Sequence, residues 1–583
     1  MLFCKKQDGQ QPRKNRGCLW TIIICLVIYV VLCGIIGAAF GSMFETPETK
    51  LTDNTVYKLE MSGIVVEQGQ EDNPFASLMS STPYYNQPNT VGLNDLIANI
   101  RLAEGSDQVK GIYLYGGEFS IGQSSAKALR DALLDFKRSG KFIIAYAPSY
   151  GQINYYIASV ADSIYLNPTG SISWNGLSAQ KMYFTRVLEK IGVEMQILKV
   201  GTFKSAVEPY FRTSMSDADR KQTEVYLNGI WNVLKEGVSL SRGISTEELD
   251  KLADRYMGVA PAEDYISSHL ADRLVYADEM DSVLTRLAGK DYKLVSTAKM
   301  SNVKKAKSSA KDKIGILYLD GQIYSEEGDG IVDTKVLKTI KKMHKEQDLK
   351  AVVLRVNSPG GSADASEQIH HAVQTLQAKG LPVVVSMGDY AASGGYYISC
   401  EADYIYAEPN TLTGSIGIFG TIPNIKKLRE KIGLDVDCVT TNRHSALDNN
   451  MLFHGMNPEE QKIMQDMIER GYDLFTRRCA EGRHLTQDSI KAIGEGRVWL
   501  GQDALNIGLV DALGNMDDAI KKAAQLAETE DYQLVYYPEK KDPMAELLNL
   551  LDNTTDEEKL ILRIKEFASK PRIMALMPEV TIQ

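Results

Sequence analysis

Apolar residues recur along this chain in two alternating patterns. In the second half, Ile314–Leu319, Ala351–Val356, Val383–Met387, Tyr404–Ala407 and Val436–Val439 are short runs rich in Val, Ile, Leu and Tyr. That is the signature of strands buried on both faces of a parallel sheet. Between them, Ser366–Lys379 (Ile369, Val373, Leu376) and Pro458–Arg478 space their apolar residues as helices do. The first half opens on Val56–Val65 and the second on Ile314–Ile323, each an apolar alternation that runs into a glycine. Strand–helix–strand order at this spacing predicts an α/β fold, with a mostly parallel sheet covered by helices.

The pattern repeats. A shift of 241 residues lays Tyr155–Pro168 (YYIASVADSIYLNP) on Tyr396–Pro409 (YYISCEADYIYAEP), with eight identities in fourteen positions. The same shift superposes Lys190–Gly192 on Lys431–Gly433 and Met215 on Met456, and a shift of 240 brings Val109–Tyr115 onto the start of Leu349–Val356. Agreement at so many separate points identifies a tandem duplication. The expected organisation is an N-terminal segment over 1–45, a first repeat over 46–295, a linker over 296–313, a second repeat over 314–540 and a helical tail over 541–583. The linker, Ser296–Lys313, is a Lys/Ser/Ala run without apolar period and reads as solvated. Gln68–Thr90 is too rich in Pro and Asn for a core element. The tail places Leu547, Leu548, Leu551, Leu560, Leu562 and Ile564 at helical spacing, expected to pack on the core or on a neighbouring subunit.

No charged residue occurs from Gly17 to Phe44, and Leu19–Phe40 is almost continuously apolar. Crossing a bilayer takes ~20 such residues in a helix, so a single transmembrane helix is expected here. Lys5, Lys6, Arg13, Lys14 and Arg16 precede it, which puts the N-terminus in the cytoplasm and the repeats outside. The run is too long for the apolar part of an ordinary signal peptide. Net charge is −10 over 583 residues, which argues against nucleic acid as a partner. The seven cysteines show no metal-binding spacing, so neither a zinc site nor a disulfide scaffold is expected.

The two repeats differ where chemistry would need them to. In the second, the strand Val383–Met387 runs into GDYAASGGYY, which places Ser393 on a strand-to-helix turn. Such a turn exposes a side-chain oxygen and aims backbone N–H groups at one point, as a nucleophile elbow does. Residue 391 is Ala, so the pattern is not GxSxG. The first repeat has Gln152 at this position, which cannot act as a nucleophile. A second glycine turn, Asn357–Ser362 (NSPGGS), lets backbone N–H groups approach a ligand, as an oxyanion hole requires. Conversely, Val200–Tyr210 of the first repeat carries Lys204, where the second repeat has His444 or Ser445. One half holds a candidate serine and the other a candidate lysine.

GDYAASGGYYIS, TLTGSIGIFG (Thr411–Gly420), NSPGGS and VGTFKSAVEP, in their positions along the chain, resemble the signal peptide peptidase A (protease IV) family in its long, duplicated bacterial form. The resemblance extends over essentially the whole chain. It implies tandem ClpP/crotonase-like domains behind an N-terminal anchor, a homotetramer, and a Ser/Lys dyad that needs no cofactor or metal. By this resemblance Ser393 is the nucleophile, Lys204 the general base, Ser415 the residue that orients the lysine, and Gly361 and Gly394 the oxyanion glycines. It further implies a bacterial inner-membrane enzyme that degrades cleaved signal peptides and other hydrophobic peptides outside the cytoplasm.

Other readings stand beside this one. A Ser/His/acid triad would use His370 or His371 with Asp364; in a helix such residues are ordinarily surface polar positions. Cys400, seven residues past Ser393, reads as packing. The crotonase likeness admits acyl-CoA chemistry, which an exterior location disfavours. A non-catalytic scaffold is opposed by the retention of both Ser393 and Lys204.

Overall fold

The structure, a computed structural model, describes residues 48–69, 89–304, 308–539, 572–577 and 581–582. The expected transmembrane segment, most of the Pro/Asn-rich stretch after Gln68 and the tail's helical pattern over 547–564 lie outside the described residues. Among the described residues no helix is long and apolar enough to cross a membrane.

The first repeat is built from β1 (Thr55–Val66), α1 (Leu93–Gly105), β2 (Val109–Ser120), α2 (Gln123–Lys137), β3 (Phe142–Ala147), α3 (Gln152–Ala158) and β4 (Ser163–Leu166). Strands β1 to β4 lie side by side in chain order and all parallel. Short strands extend the sheet at its edges to seven. Beyond it come β5 (Glu194–Lys199) and the long helix α4 (Asp217–Arg242), whose first turn is capped by Ser216.

The second repeat follows the same plan, with β6 (Asp312–Asp320), β7 (Leu349–Ser358), β8 (Gly360–Ser362), α5 (Ala363–Ala378), β9 (Val383–Ala392), α6 (Gly394–Tyr397), β10 (Leu412–Gly414), β11 (Phe419–Asn424) and α7 (Pro458–Arg483). Here β6, β7, β9 and β10 form consecutive parallel neighbours. The apolar runs that signalled these strands are buried because helices cover both faces of the sheet; Ile316, Val353 and Val384 are fully buried beneath Ala519 and Ala523.

A third sheet joins the repeats. Strand β5 of the first repeat pairs antiparallel with β11 of the second, from Lys199–Phe419 to Glu194–Asn424. Its other members include β8 and a last strand, β12 (Arg572–Leu576), which lies antiparallel between β8 and β11.

Three expectations need correction. The linker is not a free solvated run: Lys293–Ser296 pairs with the start of β1, and Met300, on the short helix Thr297–Ser301, is fully buried in the first repeat's core. Met300, with Val303 packed beside the same core, docks it. Val436–Val439 is not a strand, and Val439 is almost wholly exposed; this short run, interrupted by Asp437, joins none of the sheets. The tail is not helical to its end, because 572–576 is a strand.

Candidate active site

Strand β9 delivers Ser393 to the start of α6. Its backbone there takes φ 56° and ψ −114°, a conformation that a residue with a side chain rarely adopts and that costs about 1–3 kcal/mol. The surroundings hold it: Ser393 N–H donates to Gly414 O (2.7 Å), and Tyr397 N–H donates to Ser393 O (2.8 Å). The serine is fully buried.

Lys204 reaches the same point from the first repeat. After β5 the chain is laid against the second repeat: Val200 N–H donates to Ile418 O (3.2 Å) and Phe203 N–H to Glu495 O (2.9 Å). The 494–497 turn comes so close that a Cβ on Gly496 would stand 2.6 Å from the Cβ of Lys204. Lys204 Nζ is hydrogen-bonded to Ser393 Oγ at 2.6 Å and donates to Ser415 O (3.0 Å) and Ser415 Oγ (3.2 Å). Ser415 Oγ donates in turn to Gly496 O (3.2 Å). Lys204 is completely buried, and burial alone drives its amine well below the ordinary 10.5, since a charge there would lose its hydration.

A further layer fixes the lysine segment. Ser205 Oγ donates to Asp219 Oδ1 (2.6 Å), and Lys181 Nζ pairs with both oxygens of the same buried carboxylate. Gln222 Nε2 donates to Phe203 O (3.1 Å), while Gln222 Oε1 accepts from Val498 N–H (3.2 Å) of the second repeat. Sequence reasoning missed Asp219 and Gln222; both open α4, and their polar side chains in a helix's first turns read as solvated.

Gly361 lies in β8 and Gly394 opens α6. The two glycine turns are close neighbours: a Cβ on Gly395 would lie 2.6 Å from Ser358 O. The rival histidines are elsewhere. His370 is buried against the Tyr397 ring, its Nε2 3.3 Å from Glu401 Oε1. Burial opposes its charged form, but Cys400 and Glu401 outweigh this and raise it to about 9. Ser393 Oγ bonds Lys204 instead. Cys400 is fully buried in the core, as packing requires.

At the matching turn of the first repeat the chemistry is closed off. Gln152 Oε1 accepts from Asn175 N–H (2.9 Å) and Gly176 N–H (3.0 Å), and Gln152 Nε2 donates to Gly176 O (3.0 Å). In the second repeat His444 is half-buried beside Glu459 and Ser445 is exposed, so nothing there duplicates Lys204.

The family comparison agrees with the duplicated organisation. The sequence pattern of peptidase family S49 matches twice, over 135–291 and 375–530, and that of the Clp protease matches over 305–412. "Protease 4" of Haemophilus influenzae is 34% identical over 525 residues, spanning 86% of this chain and 84% of the relative. "Serine protease SPPA, chloroplastic" of Arabidopsis thaliana is 32% identical, over 75% of this chain and 66% of that one. Among solved structures, the 1510-N membrane-bound stomatin-specific protease covers 44% of this chain and 99% of its own, at 16% identity and a TM-score of 0.26. This chain belongs to peptidase family S49, as a serine peptidase with a duplicated S49 domain.

Proposed function

We propose that this protein hydrolyses peptides through a Ser393/Lys204 dyad assembled between its repeats, and that its substrates are hydrophobic peptides, signal peptides left after export foremost. The observation that carries the reading is the 2.6 Å contact between Lys204 Nζ and Ser393 Oγ inside a site that favours the uncharged amine. Serine is a weak nucleophile without an adjacent base, and a lysine serves as one only when burial leaves it unprotonated. Neutral Lys204 takes the hydroxyl proton as Ser393 Oγ attacks the peptide carbonyl. Backbone N–H groups of Gly361 and Gly394 receive the oxyanion, and Ser415 holds the amine in line. The amine returns the proton to the leaving nitrogen, and water then releases the acyl group from Ser393.

The position of β12 supports a peptide as substrate. An extended segment fits antiparallel to β8, the strand that carries Gly361, and Met577 just beyond it packs with Ala392 and Leu412 next to the nucleophile. An extended chain reading a strand edge is a standard mode of peptide recognition. The apolar run over 19–40 would anchor the enzyme in the bacterial inner membrane with its repeats outside, and the homotetramer of the resembled family is the assembly we propose.

Trapping with a fluorophosphonate, followed by mapping of the adduct, tests the reading. Modification confined to Ser393 and lost in Lys204→Ala is expected; an unmodified Ser393 in active enzyme would overturn it.

A further inference from the structure

Strand β9, which leads directly into Ser393, is gripped from the first repeat at a point four residues before the nucleophile. Asp389 extends from β9 to the N-terminus of α2. Its Oδ1 accepts from Ser124 N–H (2.7 Å) and Ser125 N–H (3.1 Å), and its Oδ2 accepts from Ser125 Oγ (2.7 Å). Helix α2 has no cap of its own: Gly122 stands at its N-cap position, with no side-chain hydrogen bond. A carboxylate from the other repeat thus fills the cap, satisfying N–H groups the helix leaves unpaired and meeting the positive end of its dipole.

Gly122 shows that the fit is built for Asp389. Its backbone, at φ −70° and ψ 164°, suits any residue. An added Cβ, however, would fall within the van der Waals radius of the Asp389 carboxylate. The glycine is required by the carboxylate's approach and not by the turn.

Hydrogen bonds within its own repeat also tie the strand around Asp389. Tyr390 N–H donates to Asn357 Oδ1 (3.1 Å), Thr411 Oγ1 to Gly388 O (2.8 Å) and Thr413 Oγ1 to Ala391 O (2.7 Å). A second cross-repeat tie lies beside it. Arg355 Nε and Nη2 donate to the Glu67 carboxylate (2.8 and 3.0 Å), while Nη1 donates to Ser386 Oγ and Met387 O of β9, both at 2.9 Å. The helix cap is thus a hydrogen-bonded hold of the first repeat on the stretch just before the nucleophile, beside the apolar packing of Tyr226 and Ile230 on Ala392.

We infer that Asp389 is a positioning residue for Ser393: α2 clamps β9 through this carboxylate, and so sets the serine oxygen against Lys204. The inference rests on the dyad reading and adds a second duty to the first repeat. It supplies the base in front of the nucleophile and braces the strand behind it. A carboxylate that only held the fold together would not bear on turnover of bound substrate.

The test is a double-variant cycle on the full chain, Gly122→Ala, Asp389→Ala and the pair, with kcat and KM for a peptide and the rate of fluorophosphonate labelling at Ser393. Displacement of a reacting group by about 1 Å can cost ~100-fold. Each single change is therefore expected to lower kcat and the labelling rate by about tenfold or more, with KM within about twofold. The pair should be no worse than Asp389→Ala alone, because the three atoms nearest the added methyl all belong to that carboxylate. Asp389→Asn, which keeps the volume and one accepting oxygen, should fall between wild type and Asp389→Ala, and it serves as the milder variant should Gly122→Ala fail to fold. Unchanged kcat in Gly122→Ala or in Asp389→Asn, losses carried by KM, or losses that multiply in the pair would overturn the clamp. Failure of wild-type Ser393 to label would instead remove the dyad reading on which the clamp rests.

Discussion

The two repeats share one plan and meet the same turn with opposite outcomes. At the second repeat's turn the helix α6 starts from Ser393, held at φ 56° against its preference. At the first repeat's turn the helix α3 starts from Gly151, at an ordinary φ of −65°, and Gln152 closes its carboxamide onto the 175–176 backbone. The strained backbone occurs at Ser393, and neither Gly151 nor Gln152 shares it. The exchange runs the other way around Lys204, whose buried amine has only the exposed Ser445 or the half-buried His444 as its counterpart. On the proposed reading, each half contributes one member of the dyad.

That contrast can be broken most severely at the dyad. Ser393→Ala and Lys204→Ala are each expected to reduce peptide turnover by about 10⁴-fold, the scale on which nucleophile–base units fail. Near-normal hydrolysis by either would dissolve the asymmetry between the repeats. Next comes Ser415→Ala, which removes one of the lysine's hydrogen bonds but leaves the main-chain acceptor at 3.0 Å. One such bond is worth about 1 kcal/mol, so kcat should fall about fivefold to tenfold.

The pH dependence sharpens the picture at Lys204. Activity should climb with pH along a limb centred well below 10.5, because the proposed base acts as the free amine. The same depressed lysine acts on stability. Between its folded value and 10.5 the unfolded chain binds the extra proton, so this group's contribution to stability grows as pH rises. The stability of wild type relative to Lys204→Met should therefore improve from neutral to alkaline pH in denaturant titrations; a constant difference would show that the amine is charged in the folded enzyme.

The mildest change is Gln152→Ser in the first repeat. It loses the carboxamide's hydrogen bonds, costing about 1–3 kcal/mol of stability, and turnover should stay within about twofold of wild type, since Lys204 is engaged at Ser393. A gain of a second labelled serine would show that the first repeat had been silenced by this one residue.

Much of this was legible in the residues themselves. The buried parallel strands announced themselves as apolar runs, and the duplication set Ser393 against Gln152 and Lys204 against His444 or Ser445 before any geometry was known. What stayed hidden was long-range pairing. Strand β5 and β11 lie more than two hundred residues apart and unite the halves by backbone hydrogen bonds, for which side-chain pattern carries little signal. Strand β12 sits in a tail whose apolar spacing pointed to helix. Asp389 stood in plain view inside GDYAAS, but a lone carboxylate beside a turn reads as solvated until its partner helix is placed. The same holds for Met300, which docks a stretch whose composition otherwise describes a linker.

The seam formed by β5 and β11 has a consequence for how the two halves could be handled. Six aligned residue pairs fix their register there, and the lysine leaves β5 only five residues before it meets its serine. The covalent connection between the halves runs through 302–311. A gene split within this stretch would yield two polypeptides that reassemble by strand pairing, and their co-expression would restore an enzyme that neither fragment provides.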